Sequence, residues 1–485
     1  MSGPVEGQDC WRIARATQAS VIIDADAYFR HARAAMLKAT KRIMLIGWDF
    51  DARISLVREE DAKDGAPVII GDFIRWLVER TPELEIYLLR WDTGAIKSML
   101  RPSNLLTTLR WMAHPRITVK LDSHHPTGAS HHQKIVAIDD CFAFCGGIDM
   151  TADRWDTRHH RDEDPGRKHP DGTPYGPWHD ATTALKGPVA AALGDHSRAR
   201  WKAAGGDDLP PVEGIDDCWP DDLPVQFRDV DVAIARTAPE MDDQPAVKEI
   251  ERLYVNQIAA AERCIYAESQ YFASRRIAEA IAARLGDPHG PEIVIVNPDQ
   301  ADGWLEQQAM DTARARLFEA LKARDTHNRL RLYHPFTARG EPIYVHAKIL
   351  IVDDRLIRVG SSNMNNRSLG LDTECDMAID TALPGNDGHR SVIAAIRDDL
   401  IAEHLDLPKE RVSALIAERG LIAAIEELRT KAGRTLRSYQ TPDLNDVQEW
   451  LADNEVLDPE SPDEMFEPVT QRGLFRRIEH WVRRD

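Results

Sequence analysis

Apolar and polar positions alternate along this chain in two rhythms, and the order of the rhythms repeats. Residues 24–40 place Phe29, Ala32, Met36 and Ala39 on one face at helical spacing, with an Asp near the start. A β-branched, apolar run at 42–50 follows and predicts a strand. A helical pattern at 70–79 and strands at 85–90 and 117–121 come next. The second half gives a helix over 245–261, a strand over 263–272, a strand over 292–298, a helix over 305–323 and a strand over 330–333. Strands alternating with helices predict α/β layering, with helices covering a largely buried sheet. The recurrence near 215 residues is an internal duplication, far too long for a solenoid.

The duplication is sharpest in two short stretches. HHQKIVAIDDCFAFCGGID (131–149) and YVHAKILIVDDRLIRVGSSN (344–363) share H-x-K-x-x-x-x-D, with His132, Lys134 and Asp139 matching His346, Lys348 and Asp353 at an offset of 214. Fourteen residues after each His comes a Gly (Gly146, Gly360), then Gly147 or Ser361, then Asp149 or Asn363 two further on. Both stretches predict buried strands, on which His and Lys at i and i+2 project to one side. The Asp then falls at the strand's far end, where organising the turn is a better expectation for it than chemistry. The small residues after the second run let backbone amides approach a ligand closely.

An imidazole beside an ammonium suits a phosphate ester, and two such pairs suit it better. One His can attack phosphorus; the other can protonate the leaving oxygen and then activate water or an alcohol. Two lysines can neutralise the non-bridging oxygens, each charge pair worth ~4 kcal/mol at ~4 Å in a partly buried site against ~1 in bulk water. The competing reading is two core strands that each bury a satisfied His and Lys. Adjacent His and Lys on an apolar strand are costly to bury without a ligand or partner, which weighs against it.

These paired motifs resemble those of the phospholipase D superfamily, whose double HKD pattern they carry. GGIDMTADRWD (146–156), PWHD (177–180), ESQYF (268–272), YVHAK (344–348) and GSSNMNNRS (360–368) resemble the phospholipase D branch itself, and the likeness spans about 18–404. The resemblance implies two similar α/β lobes, each a mixed sheet flanked by helices, related by a pseudo-twofold axis that brings both His–Lys pairs to one cleft. It implies lobes at 1–224 and 225–410 and leaves 411–485 as a helical C-terminal extension. It implies hydrolysis of a glycerophospholipid such as phosphatidylcholine to phosphatidic acid and an alcohol, through a phosphohistidine, with transfer to other alcohols in competition. A cardiolipin synthase-like transferase and a nuclease-like phosphodiesterase are the alternatives. Carried over by position, His132 is the nucleophile and His346 the acid and base, although the near-symmetric motifs do not themselves distinguish them. Lys134 and Lys348 hold phosphate oxygens, Ser361 and Asn363 add donors, and Gly147 and Asp149 stand in their places in the first half. Glu374 and Asp180 are the orienting carboxylates. Gln270, at the end of a strand with Trp48, Asp49 and Glu268 at related positions, is a further binding candidate.

Composition narrows this reading. The 61 basic and 80 acidic residues give a net charge of -19, which opposes broad nucleic-acid binding but allows a locally positive cleft. No 18-residue apolar run predicts a membrane span, which disfavours the synthase alternative, and residues 1–18 lack an apolar core of signal-peptide length. The six cysteines lie mostly in apolar runs and read as buried thiols, consistent with an expected cytoplasmic location. No cofactor or metal is expected. His159, His160 and His169 lie in a Pro-, Gly- and charge-rich insertion at 156–178, read as a solvated loop that covers the cleft rather than as a metal site. Residues 203–224 predict a linker. A basic amphipathic stretch at 474–484 is either a packed terminal helix or a peripheral membrane contact. The expected partner is a phospholipid, and both motifs in one chain predict a monomer.

Overall fold

The computed structural model describes residues 3–92, 102–215, 218–241, 244–301, 304–429 and 433–442; the expected segment at 474–484 lies outside them. The first half contains β1 (Arg12–Ile23), α1 (Ala25–Leu37), β2 (Arg42–Gly47), α2 (Ile70–Arg80), β3 (Glu85–Trp91), α3 (Pro102–Met112), β4 (Ile117–Asp122), β5 (Ile135–Ile138), β6 (Phe142–Gly146), β7 (Trp178–His179), β8 (Ala181–Lys186) and α4 (Pro188–Ala203). The second contains β9 (Phe227–Ala238), β10 (Val247–Lys248), α5 (Glu249–Ala259), β11 (Cys264–Glu268), α6 (Arg275–Gly286), β12 (Glu292–Val296), α7 (Trp304–Arg324), β13 (Leu330–Phe336), β14 (Tyr344–Val345), β15 (Ile349–Val352), β16 (Leu356–Gly360) and β17 (Glu374–Asp380). Then come α8 (Arg390–Leu405), α9 (Lys409–Arg419), α10 (Leu421–Leu428) and β18 (Thr435–Ser438).

One mixed sheet runs through both halves in the order β18-β13-β12-β11-β15-β16-β17-β9-β1-β8-β6-β5-β2-β3-β4. Read outward from the middle, β1-β8-β6-β5-β2-β3-β4 mirrors β9-β17-β16-β15-β11-β12-β13. The duplicated lobes therefore meet at the antiparallel pair β1–β9, where Ala14 faces Val232 and Arg15 faces Asp231. These two long strands carry little apolar contrast to solvent, because both of their faces are covered, and the sequence pattern did not mark them. Helices cover the sheet as the apolar faces require. Phe29, Ala32 and Met36 of α1 and Phe73, Ile74 and Leu77 of α2 are fully buried against Ile43, Leu45 and Ile86. Burying each large side chain stabilises the fold by about 1.5–3 kcal/mol.

Three expectations need correction. Residues 203–224 are not a free linker: Cys218, Trp219 and Leu223 pack into the first-lobe core, and Trp219 Nε1 donates to the Leu223 carbonyl at 2.9 Å. The C-terminal extension is not purely helical, since β18 adds antiparallel to β13 at the sheet edge. The insertion is solvated only in part: positions 170–174 are exposed, but Asp156, His160 and Arg167 are essentially inaccessible. Arg167 donates to Asp156 and to the carbonyl of Asp162, so the loop folds around its own buried ion pair.

Asp139 and Asp353 sit in equivalent left-handed turns (φ 49° and 53°) after β5 and β15. Asp353 accepts from the amides of Glu262, Arg263 and Cys264 at 2.6–2.8 Å, tying its turn to the start of β11. Asp139 does the same for Thr40, Lys41 and Arg42 at the start of β2. At about 3.3 Å per residue, five residues carry each Asp roughly 16 Å from its motif Lys, at the other end of the strand. Neither reaches the His–Lys cleft, so the two are structural members of the motif. Asp353→Ala removes the acceptor of three amides, that of Cys264 buried and those of Glu262 and Arg263 part-buried, and a stranded buried amide costs about 1–3 kcal/mol. The melting temperature should therefore drop sharply, while the protein that remains folded keeps the kcat of the parent; a kcat loss in fully folded protein would return Asp353 to the chemistry.

Candidate active site

His132 and Lys134, and His346 and Lys348, do not lie within the regular strands as their spacing suggested. Each pair occupies the extended segment just before β5 or β15, where the chain leaves its own sheet and pairs with the other lobe. His132 N donates to the Thr373 carbonyl at 2.9 Å, and His346 N donates to the His179 carbonyl at 2.8 Å. Around these bonds, His131 bridges Thr373 and β14 pairs parallel with β7. The residues that follow those two carbonyls are Glu374 and Asp180. Their carboxylates therefore reach the histidine of the opposite lobe: His132 Nδ1 lies 3.0 and 3.1 Å from the two Glu374 oxygens, and His346 Nδ1 lies 2.7 Å from Asp180 Oδ2. The pairing is crosswise, so neither lobe holds an oriented imidazole by itself.

The supports of the two carboxylates differ. Glu374 accepts from the hydroxyls of Ser361 and Ser368 at 2.5 and 2.7 Å. Ser361 is fully buried, so its hydroxyl serves the orienting carboxylate and not a phosphate. In the first lobe Gly147 stands at that position because Asp180 is packed against it: a Cβ there would meet Asp180 Oδ1 at 2.4 Å. The Gly147 amide is already bonded to the Ala181 carbonyl, so it is not offered to a ligand. Asp149 accepts from the amides of Trp48 and Asp49 and lies 3.1 Å from Lys134 Nζ, holding that lysine in place. Asn363 Nδ2 and Lys348 Nζ both reach Gln270 Oε1, at 3.4 and 3.3 Å, which puts Gln270 in the site. Glu268 does not join it; that carboxylate points to His179 and His404. Asp49 pairs with Arg90 and Thr151 at the rim.

Aromatic rings wall both histidines. Trp48 stands edge-on to His132, with ring centroids 6.4 Å apart. Trp178 lies 5.2 Å from His346 and stacks on Tyr344, with the Arg154 guanidinium 4.4 Å above it. Reading the motifs missed Arg154, Trp178, Tyr344 and Ser368 as site residues, although each lies inside a stretch quoted for the family resemblance. They carry no spacing signal, because two-residue strands and connecting turns deliver them.

The electrostatics describe a site suited to an anion. Burial holds both imidazoles well below their usual range, and Lys134 and Lys348 push His132 further down. Lys348, Arg154 and Lys134 do the same to His346. Burial also draws the Lys348 ammonium down to about 7, despite Asp180. Burial raises Glu374 well above the usual carboxylate range, with Lys134 opposing. Cations crowded together in a protein of net charge -19 fit an anionic ligand. A bound phosphodiester would supply that charge and restore the proton on whichever imidazole serves as acid.

A second polar cluster lies beneath the site, and it includes the loop histidine read above as solvated. Asp24, His160, His179 and Glu403 converge, with His160 Nε2 and His179 Nδ1 each 3.0 Å from Glu403 Oε1 and 3.6 and 3.3 Å from the Asp24 oxygens. The outer nitrogens are held by other carboxylates: His160 Nδ1 by Asp156 at 3.0 Å and His179 Nε2 by Glu268 at 2.8 Å. Asp24 Oδ2 is buried without a hydrogen-bond partner, on a residue at φ 64°. Two nitrogens and two carboxylate oxygens with carboxylate-braced imidazoles are a donor set that fits a divalent metal ion. Protons compete for the same nitrogens: burial lowers His160, but Asp24, Asp156 and Glu403 outweigh it and push it up to about 9. His159 and His169 are not part of this set.

A duplicated α/β fold with crosswise His–carboxylate pairs and two lysines defines a phosphoryl-handling site built from two half-sites. The Phospholipase D family model matches residues 35–278 and 314–453, and the chain belongs to that family. The phospholipase D alpha 1 proteins of Carica papaya and Nicotiana tabacum are 24% and 23% identical over 77% and 78% of this chain. The chain spans 63% of the length of each of these relatives. Among solved structures, the phosphatidylserine synthase of Haemophilus influenzae superposes with a TM-score of 0.54 at 14% identity, covering 85% of this chain and 96% of that one; it shares the fold.

The low Lys348 pKa gives a pH prediction. Below about 7 the ammonium is present in the free protein; above it the phosphate clamp loses a charge. If catalysis needs that charge, kcat/KM should fall about tenfold per unit on the alkaline side. Lys348→Arg, whose guanidinium stays charged, should abolish that limb whatever its maximal rate. An unaltered limb in the Arg variant assigns the titration elsewhere.

Proposed function

We propose that this protein cleaves the distal phosphodiester of glycerophospholipids, phosphatidylcholine or a related lipid, to phosphatidic acid and a free alcohol. The observation that carries the reading is the crosswise pairing of each imidazole with the other lobe's carboxylate, with two lysines alongside. Glu374 fixes His132 with its Nδ1 proton engaged and the Nε2 lone pair toward the cleft. His132 attacks phosphorus, the bond to the head-group oxygen breaks, and His346 delivers a proton to that oxygen. His346 then takes a proton from water, the resulting hydroxide attacks phosphorus, and the P–N bond to His132 breaks. Lys134, Lys348 and Arg154 carry the charge of the non-bridging oxygens through both steps. This sequence routes no step through a metal ion; an ion on Asp24, His160, His179 and Glu403 would brace the lobes beneath the site. No helix among the described residues is long and apolar enough to cross a membrane, so the substrate would be met at a lipid surface.

A second reading, phosphatidyl transfer to an alcohol, is favoured by one feature. The His132 and His346 side chains are only 15% and 6% exposed, so bulk water has poor access to the intermediate. The H. influenzae protein that shares this fold is a phosphatidylserine synthase. The experiment that separates the readings is turnover of phosphatidylcholine with and without ethanol. Phosphatidylethanol should form at the expense of phosphatidic acid, and His132→Asn should lower both products about 10³-fold. Hydrolysis that continues with no phosphatidylethanol excludes a shared covalent intermediate, and a fully active His132→Asn removes the histidine from the mechanism.

A further inference from the structure

A cavity of about 200 Å³ opens between β2, β3, β4 and α3 of the first lobe. Its inner end is formed by Lys134, Asp149 and Gly47, at the phosphate site. Its walls are apolar, with Leu45, Leu88, Trp111, Val119 and Ile148 among them. Its outer rim includes Met112 and Leu121, which are 60% and 40% exposed. Beside them on α3, Leu109 is 52% exposed. Among the described residues, four large hydrophobic side chains are exposed, and three of them lie on α3 and β4, the two elements that supply this rim. Such clustering marks a contact surface, whereas scattered single residues would not.

The charge pattern agrees. Residues 93–121 contain Lys97, Arg101, Arg110, Arg116 and Lys120 and no acidic residue, in a chain where 80 of 485 residues are acidic. At that average, about five acidic residues would fall in a 29-residue stretch. Among the described residues, Arg110 and Lys120 lie beside the exposed apolar side chains of this edge, and such a pairing on an otherwise acidic protein matches an anionic or zwitterionic lipid surface. β4 is also the terminal strand on this side of the sheet.

Resting on the phospholipid reading above, we propose that this cavity is the acyl-chain chamber of the site. The α3–β4 edge lies on the lipid surface, and one hydrocarbon tail passes the Met112–Leu121 rim and lies along Val119, Leu88 and Leu45. Its phosphate then meets Lys134. The membrane contact anticipated at 474–484 is not needed for this arrangement. Filling an apolar, preformed chamber gives about a fourfold gain in affinity for each buried methylene.

Dodecyl phosphate and butyl phosphate, binding to the purified protein by calorimetry, test the chamber without any turnover. Dodecyl phosphate should bind at least about 30-fold more tightly, since several additional methylenes are buried. Val119→Trp, which fills a half-buried wall, should bring that ratio close to one. Met112→Asp, at an exposed position where folding is safe, should lower the ratio as well and reduce co-sedimentation with phosphatidylcholine–phosphatidylglycerol vesicles. Equal affinity for the two alkyl phosphates, or a ratio that both variants retain, overturns the proposal. A chain-length preference in a protein that cleaves no phospholipid would leave the chamber standing and overturn the proposed reaction instead.

Discussion

The interaction on which this structure depends is the bond from each motif imidazole to a carboxylate of the other lobe. It forces the two halves to be close, antiparallel and in one register. The β1–β9 pair sets the register from below, with Ala14 opposite Val232. The parallel contacts of His131 with Thr373 and of Tyr344 with Trp178 set it from above. Between these two levels the backbone bonds from His132 and His346 to the opposite lobe leave Glu374 and Asp180 no position other than beside the rings. A lobe folded alone would bury a carboxylate and an imidazole with neither paired, which is expensive in a low-dielectric interior. The chemistry and the lobe interface thus share the same hydrogen bonds.

Duplication explains the scaffold, and departures from it explain the division of labour. Ser361 and Ser368 support Glu374 with neutral hydroxyls, whereas Gly147 and Arg154 occupy the corresponding places near Asp180. The His346 side of the cleft is therefore richer in positive charge. Positive charge beside an imidazolium makes it the stronger acid, which suits the residue that must protonate a leaving oxygen. A carboxylate brace beside the two lysines but without the Arg154 guanidinium suits the residue proposed to attack. This asymmetry supports the roles proposed above for His132 and His346, on physical grounds that the motif letters lack.

Much of this was legible in the letters because strands and helices obey short periods. The α1, α2, β2, β3, β11 and β12 elements stand where periodicity put them, and the paired motif located both lysines and both histidines. What was not legible has one cause: it depends on contacts between distant segments. The His–Lys pairs leave their strands because the other lobe offers backbone partners, and no local pattern encodes that. His160 looked solvated because its neighbours are Pro, Gly and charged residues, yet Asp156, Asp24 and Glu403 gather around it from three parts of the chain. Asp139 and Asp353 carry motif positions for folding reasons, as their left-handed turns and amide bonds require.

The claim that a single site is assembled from both lobes is tested most directly by trapping its covalent intermediate. His346→Asn removes the acid and base but not the nucleophile. Given a p-nitrophenyl phosphodiester, whose leaving group needs no proton, it should release one burst of nitrophenol and accumulate an adduct. Peptide mass spectrometry should place that adduct on His132, and Glu374→Gln from the opposite lobe, added to the same variant, should suppress it. An adduct on another residue, or one on His132 that forms equally fast without the Glu374 carboxylate, would contradict the account.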